Sequence, residues 1–166
     1  MSELKLPPDP DPRLAALDDD LRRARAESYP LSFAVRRLPD PPPDSRAAAD
    51  ALCAELEFRG LGAAWVEIPR RIAAKMLAQL IGSDLAYPDE VVPPERAEAL
   101  AGRFLELFPP GTHYFTNGAL SGEFAVYDSA GDEVLGWRSI SDAPLDNGVV
   151  AVGGGRVGLL WAEDAP

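Results

Sequence analysis

The chain has 166 residues, 46% of them apolar, and a formal charge of −11. That length suits one domain, and that apolar content supports a buried core and excludes general disorder. The negative charge opposes binding to the phosphate backbone of nucleic acid.

A single cysteine, Cys53, excludes an intramolecular disulfide and a cysteine-based zinc site. Lysine is limited to Lys5 and Lys75, the rest of the sixteen basic residues being Arg, and Ala and Pro are abundant. This is the composition expected of a GC-rich bacterial genome. Met1–Pro10 carry no apolar run of the kind a secretory signal needs. No stretch approaches the roughly 18 apolar residues of a membrane span, and the expected compartment is the cytoplasm.

Residues 1–12 hold Pro7, Pro8, Pro10 and Pro12 and are expected to be a flexible or extended lead-in to a single domain over 13–166. Leu14, Leu17 and Leu21 recur at helical spacing and predict a first helix from about Pro12 to Ser28, with Asp11 as its cap. Leu31, Phe33 and Val35 alternate with smaller or polar residues, so 31–38 reads as a strand. The run Pro39-Asp40-Pro41-Pro42-Pro43 forces a loop. A second helix is predicted from Asp44 or Ser45 to Phe58 or Arg59, stopped by Gly60. Trp65, Val66 and Ile68 suggest a short strand. Pro69 opens a third helix with Ile72, Met76, Leu77 and Leu80 on one face. Pro94 opens a fourth, with Leu100, Phe104, Leu105 and Phe108 turned inward, and Pro109-Pro110-Gly111 ends it.

After Gly111 the period changes. Runs 112–116, 123–128, 133–138, 149–152 and 157–161 are β-branched or aromatic. Asn117-Gly118, Ser129–Asp132, Asp146-Asn147-Gly148 and Gly153-Gly154-Gly155 separate them as turn signals. Helices followed by strands indicate the α+β class: about four helices, mostly N-terminal, packed on one face of an antiparallel meander of about five to seven strands.

Several constellations invite a chemical reading. Gly153 to Gly158 matches the G-x-G-x-x-G pattern. A dinucleotide site needs a helix next and an acidic residue about 20 positions later. The chain reaches Pro166 before either, so a glycine hairpin turn is expected and no cofactor is implied. His113, the one histidine, could act as a general base oriented by Glu123 or Asp128 on a neighbouring strand; its other reading is an exposed strand residue. No serine sits in a nucleophile elbow. Cys53 lies among Ala and Leu and reads as a small buried apolar residue. Asp18-Asp19-Asp20 reads as a solvated helix face, with no metal site implied.

The densest signal is acidic. From Gly122 to Asp146 six carboxylates, Glu123, Asp128, Asp132, Glu133, Asp142 and Asp146, stand against the single Arg138, a local charge of −5. Tyr114, Phe115, Phe124, Tyr127 and Trp137 accompany them. On strands joined by turns, Asp128, Asp132, Glu133, Asp142 and Asp146 would face a basic protein partner, with Trp137 as an anchor. A solvated acidic surface that blunts sheet edges is the alternative. In size and acidity the chain resembles the immunity proteins of bacterial toxin systems. That resemblance implies a non-catalytic inhibitor that occludes a basic toxin surface. A structural or accessory domain, and a small-molecule-binding domain or enzyme using His113, are the other two readings.

Overall fold

The computed structural model describes residues 5–25, 31–83, 91–119 and 125–164. Within them, four helices and a five-stranded antiparallel sheet give the expected α+β class. The helices are α1 (Pro12–Ala24), α2 (Ser45–Glu55), α3 (Arg70–Gly82) and α4 (Pro94–Leu105). The strands are β1 (Leu31–Arg37), β2 (Val66–Ile68), β3 (His113–Thr116), β4 (Leu145–Gly153) and β5 (Arg156–Asp164). No helix follows α4 among the described residues, and none is long and apolar enough to cross a membrane.

Local chemistry sets the helix ends. The Asp11 carboxylate accepts from the Arg13 amide at 2.9 Å, with Pro12 at the first helical position of α1. Asp44 caps α2 through the Ala47 amide at 3.3 Å. α2 stops earlier than Gly60 suggested. Glu57 takes a left-handed φ of 63°. The Phe58 amide then donates to the Cys53 carbonyl at 2.8 Å and the Glu57 amide to the Ala54 carbonyl at 3.3 Å. These two bonds are a Schellman closure, with Glu57 where glycine is usual.

The sheet order is β1-β5-β4-β3-β2. β2 to β5 form a meander, and β1 returns to pair with β5. Gly154 and Gly155 turn between β4 and β5 with φ of 62° and 75°. A two-residue type I′ turn needs positive φ at both positions, which glycine supplies without strain. The glycine run is the expected hairpin turn.

The helices do not share one face of the sheet. α1, α3 and α4 cover one side, with Leu17, Leu77, Leu100 and Phe104 over Tyr114, Val149 and Leu160. α2 covers the other, with Leu52 and Cys53 over Phe115, Val150, Leu159 and Trp161. The cause lies in β4 and β5. Val149-Val150-Ala151-Val152 and Leu159-Leu160-Trp161-Ala162 are apolar at successive positions, so both faces need cover. Each fully buried Leu or Phe contributes about 1.5–3 kcal/mol. Trp65 and Trp161 meet edge-on in the α2 layer, with ring centroids 6.0 Å apart.

The proline-rich lead-in takes an extended form. Leu6 is buried in the α2 layer. Pro8 bridges Arg36, and the Arg37 amide donates to the Pro7 carbonyl at 2.9 Å. Asp9 pairs with Arg156 at 2.9 Å. The lead-in thereby covers part of the outer edge of β1.

Candidate interaction surface

The connection from β3 to β4 carries the acidic stretch, and it is not built as expected. The predicted strands 123–128 and 133–138 are not members of the sheet. Glu123 and Phe124 lie outside the described residues. Residues 125–138 form a small two-limbed arm instead. The Val134 amide donates to the Val126 carbonyl at 2.8 Å, and Tyr127 bridges Glu133. Asp128 closes the tip: its Oδ1 accepts from the Ala130 and Asp132 amides at 3.0 and 2.9 Å. This is the Asx turn that a short carboxylate side chain can make.

Two attachments fix the arm to the body. The Ser129 amide donates to the Glu67 carbonyl on edge strand β2 at 3.0 Å. At the base, Ala119 donates to the Gly136 carbonyl at 2.8 Å and Arg138 to the Asn117 carbonyl at 3.0 Å. Gly118 is required in this crossing. It has a φ of 138°, and a Cβ there would lie 2.2 Å from the Gly136 carbonyl oxygen.

Alternation along the arm sorts its side chains. Val126 and Val134 turn into the core layer shared with α1, α3 and α4. Tyr127, Leu135 and Trp137 turn outward, 40%, 84% and 41% exposed, and among the described residues they are the exposed large apolar side chains. Tyr114 and Phe115, which accompany the acidic stretch in sequence, are core residues.

The expected partner-binding carboxylates separate into two groups. Asp132 and Glu133 are exposed and Asp128 is half-buried at the tip. Asp142, further along the connection, is exposed and forms an ion pair with Arg59. Asp146 is a correction. It lies inside β4, is fully buried, and is not presented to a partner.

Asp146 is the hub of a buried polar network. Its Oδ1 accepts from Asn117 Nδ2 at 2.9 Å, from the Ile140 amide at 3.3 Å and from Trp161 Nε1 at 3.3 Å. Its Oδ2 accepts from the Ser141 amide and hydroxyl at 3.1 and 2.7 Å. Asn117 Nδ2 also donates to the Arg138 carbonyl at 2.9 Å, and Asn117 Oδ1 accepts from Asn147 at 2.9 Å. Asn117 and Asp146-Asn147 were expected to be surface turns. They are instead the socket that holds the base of the arm, with each polar atom satisfied by another.

Glu163 lies opposite Asp146 in the β4–β5 register. Partial burial and then the Asp146 charge hold its carboxyl above the usual range, and a hydrogen bond from Ser141 offsets part of this.

Glu123 lies outside the described residues, and among those described His113 pairs with Glu67 and not with Asp128. Its Nδ1 lies 2.8 Å from Glu67 Oε2 on β2, and its ring stacks near Phe115 with centroids 6.4 Å apart. It is half exposed. The neighbouring cavity of about 390 Å³ is lined by Glu67, Arg70, Tyr114 and Ser129 among others, and His113 is not part of that lining. Cys53 is buried, which together with the nearby Asp50 charge pushes its thiol up to about 12 and disfavours the thiolate form. Asp18 pairs with Arg22 at 3.3 Å and Asp20 with Arg103 at 2.6 Å. Among the described residues, no three ligand-type side chains converge on a metal position.

Sequence signals for the missed parts exist in outline. Leu135 follows Val134 in a period-two pattern, so one of the pair must face outward. Nothing in the spacing marks Asp146 as buried. Comparison with protein-family models, with curated proteins and with solved structures found no match.

Proposed function

We propose that this chain is an acidic protein-interaction module, most concretely an immunity-type inhibitor that occludes the basic surface of a bacterial toxin in the cytoplasm. The observation that carries the reading is the arm between β3 and β4. It presents Asp128, Asp132 and Glu133 on a hydrogen-bonded frame that is tied to the sheet at tip and base. A frame formed before binding loses little freedom on association. Its charge is part of the −11 that the chain carries overall, and such a field steers a cationic partner. Exposed charges are screened beyond about 8–10 Å at physiological salt, so the carboxylates act mainly on the association rate.

The test is capture of partners by the full chain from its native host, followed by binding kinetics at low and physiological salt. The expected partner is basic, with an association rate that falls as salt rises. An acidic partner, or an association rate indifferent to salt, removes the acidic face from the mechanism.

A further inference from the structure

Charge alone does not account for the outer side of the arm. Tyr127, Leu135 and Trp137 stand exposed within 127–137, while Val126 and Val134 on the same limbs are turned into the core. An apolar side chain exposed singly is ordinary. Three large ones gathered on one small element, rimmed by carboxylates, mark a binding surface. Tyr and Trp are also the residue types that most often anchor interfaces.

We propose that Tyr127, Leu135 and Trp137 form a docking ridge for an apolar protein surface rimmed by Arg or Lys, a proposal that rests on the interaction-module reading and names the chemistry of its partner. Charge selects the occupant. A second copy on the ridge would set Asp128, Asp132 and Glu133 against their own equivalents, and like charges across an interface are costly. An anionic lipid surface meets the same repulsion. A cationic rim answers the carboxylates, and its apolar centre covers Leu135, which is 84% exposed.

The protein carries its own reporter. Of its three tryptophans, Trp65 and Trp161 are buried and Trp137 is exposed, so acrylamide quenching reads Trp137. The probes are three blocked synthetic peptides of equal length: alternating Arg and Leu, alternating Arg and Ser, and alternating Glu and Leu. The full chain should bind the Arg–Leu peptide with Trp137 shielded, and the Arg–Ser peptide at least ~10-fold more weakly. Leu135→Ser, an exposed change that leaves the frame intact, should lose a similar factor, read by anisotropy of a labelled Arg–Leu peptide.

Equal binding of the Arg–Ser and Arg–Leu peptides overturns the ridge and leaves the acidic-face reading standing. Equal binding of Glu–Leu and Arg–Leu overturns the basic rim, and the acidic-face reading with it. A dimer in sedimentation that Leu135→Ser dissolves makes a second copy the occupant and overturns the proposal. So does the absence of any peptide that shields Trp137, whatever partner is captured from the host.

Discussion

Ser141 and Asp146 are joined twice: the Ser141 amide and hydroxyl both donate to Asp146 Oδ2, at 3.1 and 2.7 Å. Every side-chain partner of Asp146 is a donor, and the carboxylate has no exposed surface. Asp146→Asn keeps the shape but, in either orientation, turns an amide NH₂ toward N–H groups that only donate. It should cost about 2–4 kcal/mol, because buried donors lose their acceptor. Urea unfolding measures it. A loss near zero would show that the network does not hold the base of the arm.

Partial burial, and then the same carboxylate across the β4–β5 pair, raise the proton affinity of Glu163. Folded Glu163 therefore binds its proton more tightly than the unfolded chain does. Its contribution is fully present below the unfolded carboxylate pKa and is lost as pH rises through the raised folded value. Glu163→Gln should raise Tm at neutral pH, and the gain should fade under acid conditions. Thermal unfolding across that range checks the sign. A variant less stable than the parent at neutral pH would falsify the like-charge account.

How much of this was legible in the sequence follows from what each signal can encode. The helices were readable because Leu17, Leu21, Ile72, Met76, Leu77 and Phe104 lie on single faces, and all of them are buried. Gly154-Gly155 was readable because a two-residue hairpin demands positive φ. The sandwiching of the sheet was less visible. Val149–Val152 and Leu159–Ala162 are continuous apolar runs, which point to two covered faces, yet the order of elements alone suggested one. The acidic stretch misled for a different reason. Composition does not separate a solvated carboxylate from a hydrogen-bonded one, so Asp146 and Asp132 read alike. Asp146-Asn147-Gly148 has turn chemistry, but tertiary donors from Ser141, Ile140 and Trp161 draw it into β4. Leu135 was overlooked because a lone Leu carries no sign of which side it faces.

Arg25 and Asp164 meet 3.3 Å apart with side chains 1% and 2% exposed. The pair ties the end of α1 to the end of β5, and Arg25 Nη2 also lies 3.5 Å from the Ser83 carbonyl after α3. Asp164→Ala leaves the guanidinium buried without this carboxylate. Breaking such a pair typically costs about 3–5 kcal/mol. Denaturant unfolding should show that loss, with the slope unchanged. A loss below about 1 kcal/mol would place the pair in the range of surface ion pairs.

His113 lies on β3, hydrogen-bonded to Glu67. His113→Ala should leave partner binding within a few-fold of the parent and leave the fold intact. Removal of a general acid or base typically lowers a rate by 10²-fold or more. An activity lost on that scale, with the unfolding curve unchanged, would move the reading from an interaction module to an enzyme built on the His113–Glu67 pair.

Asp128 has two roles on the arm, and two substitutions separate them. Its Oδ1 closes the tip by accepting from Ala130 and Asp132, and its charge belongs to the rim. Asp128→Asn removes the charge but keeps a carbonyl oxygen able to close the Asx turn. Asp128→Ala removes both. If the carboxylates steer a basic partner, Asn and Ala should slow association equally and reduce its salt dependence equally. If the frame also presets the ridge, Ala alone should speed dissociation, because Tyr127 and Leu135 then lose their fixed positions on the two limbs. Stopped-flow association and dissociation rates at two salt concentrations distinguish the outcomes. Association rates unchanged by both variants would place the steering charge elsewhere on the chain. Equal dissociation rates would show that the partner does not depend on the closed tip.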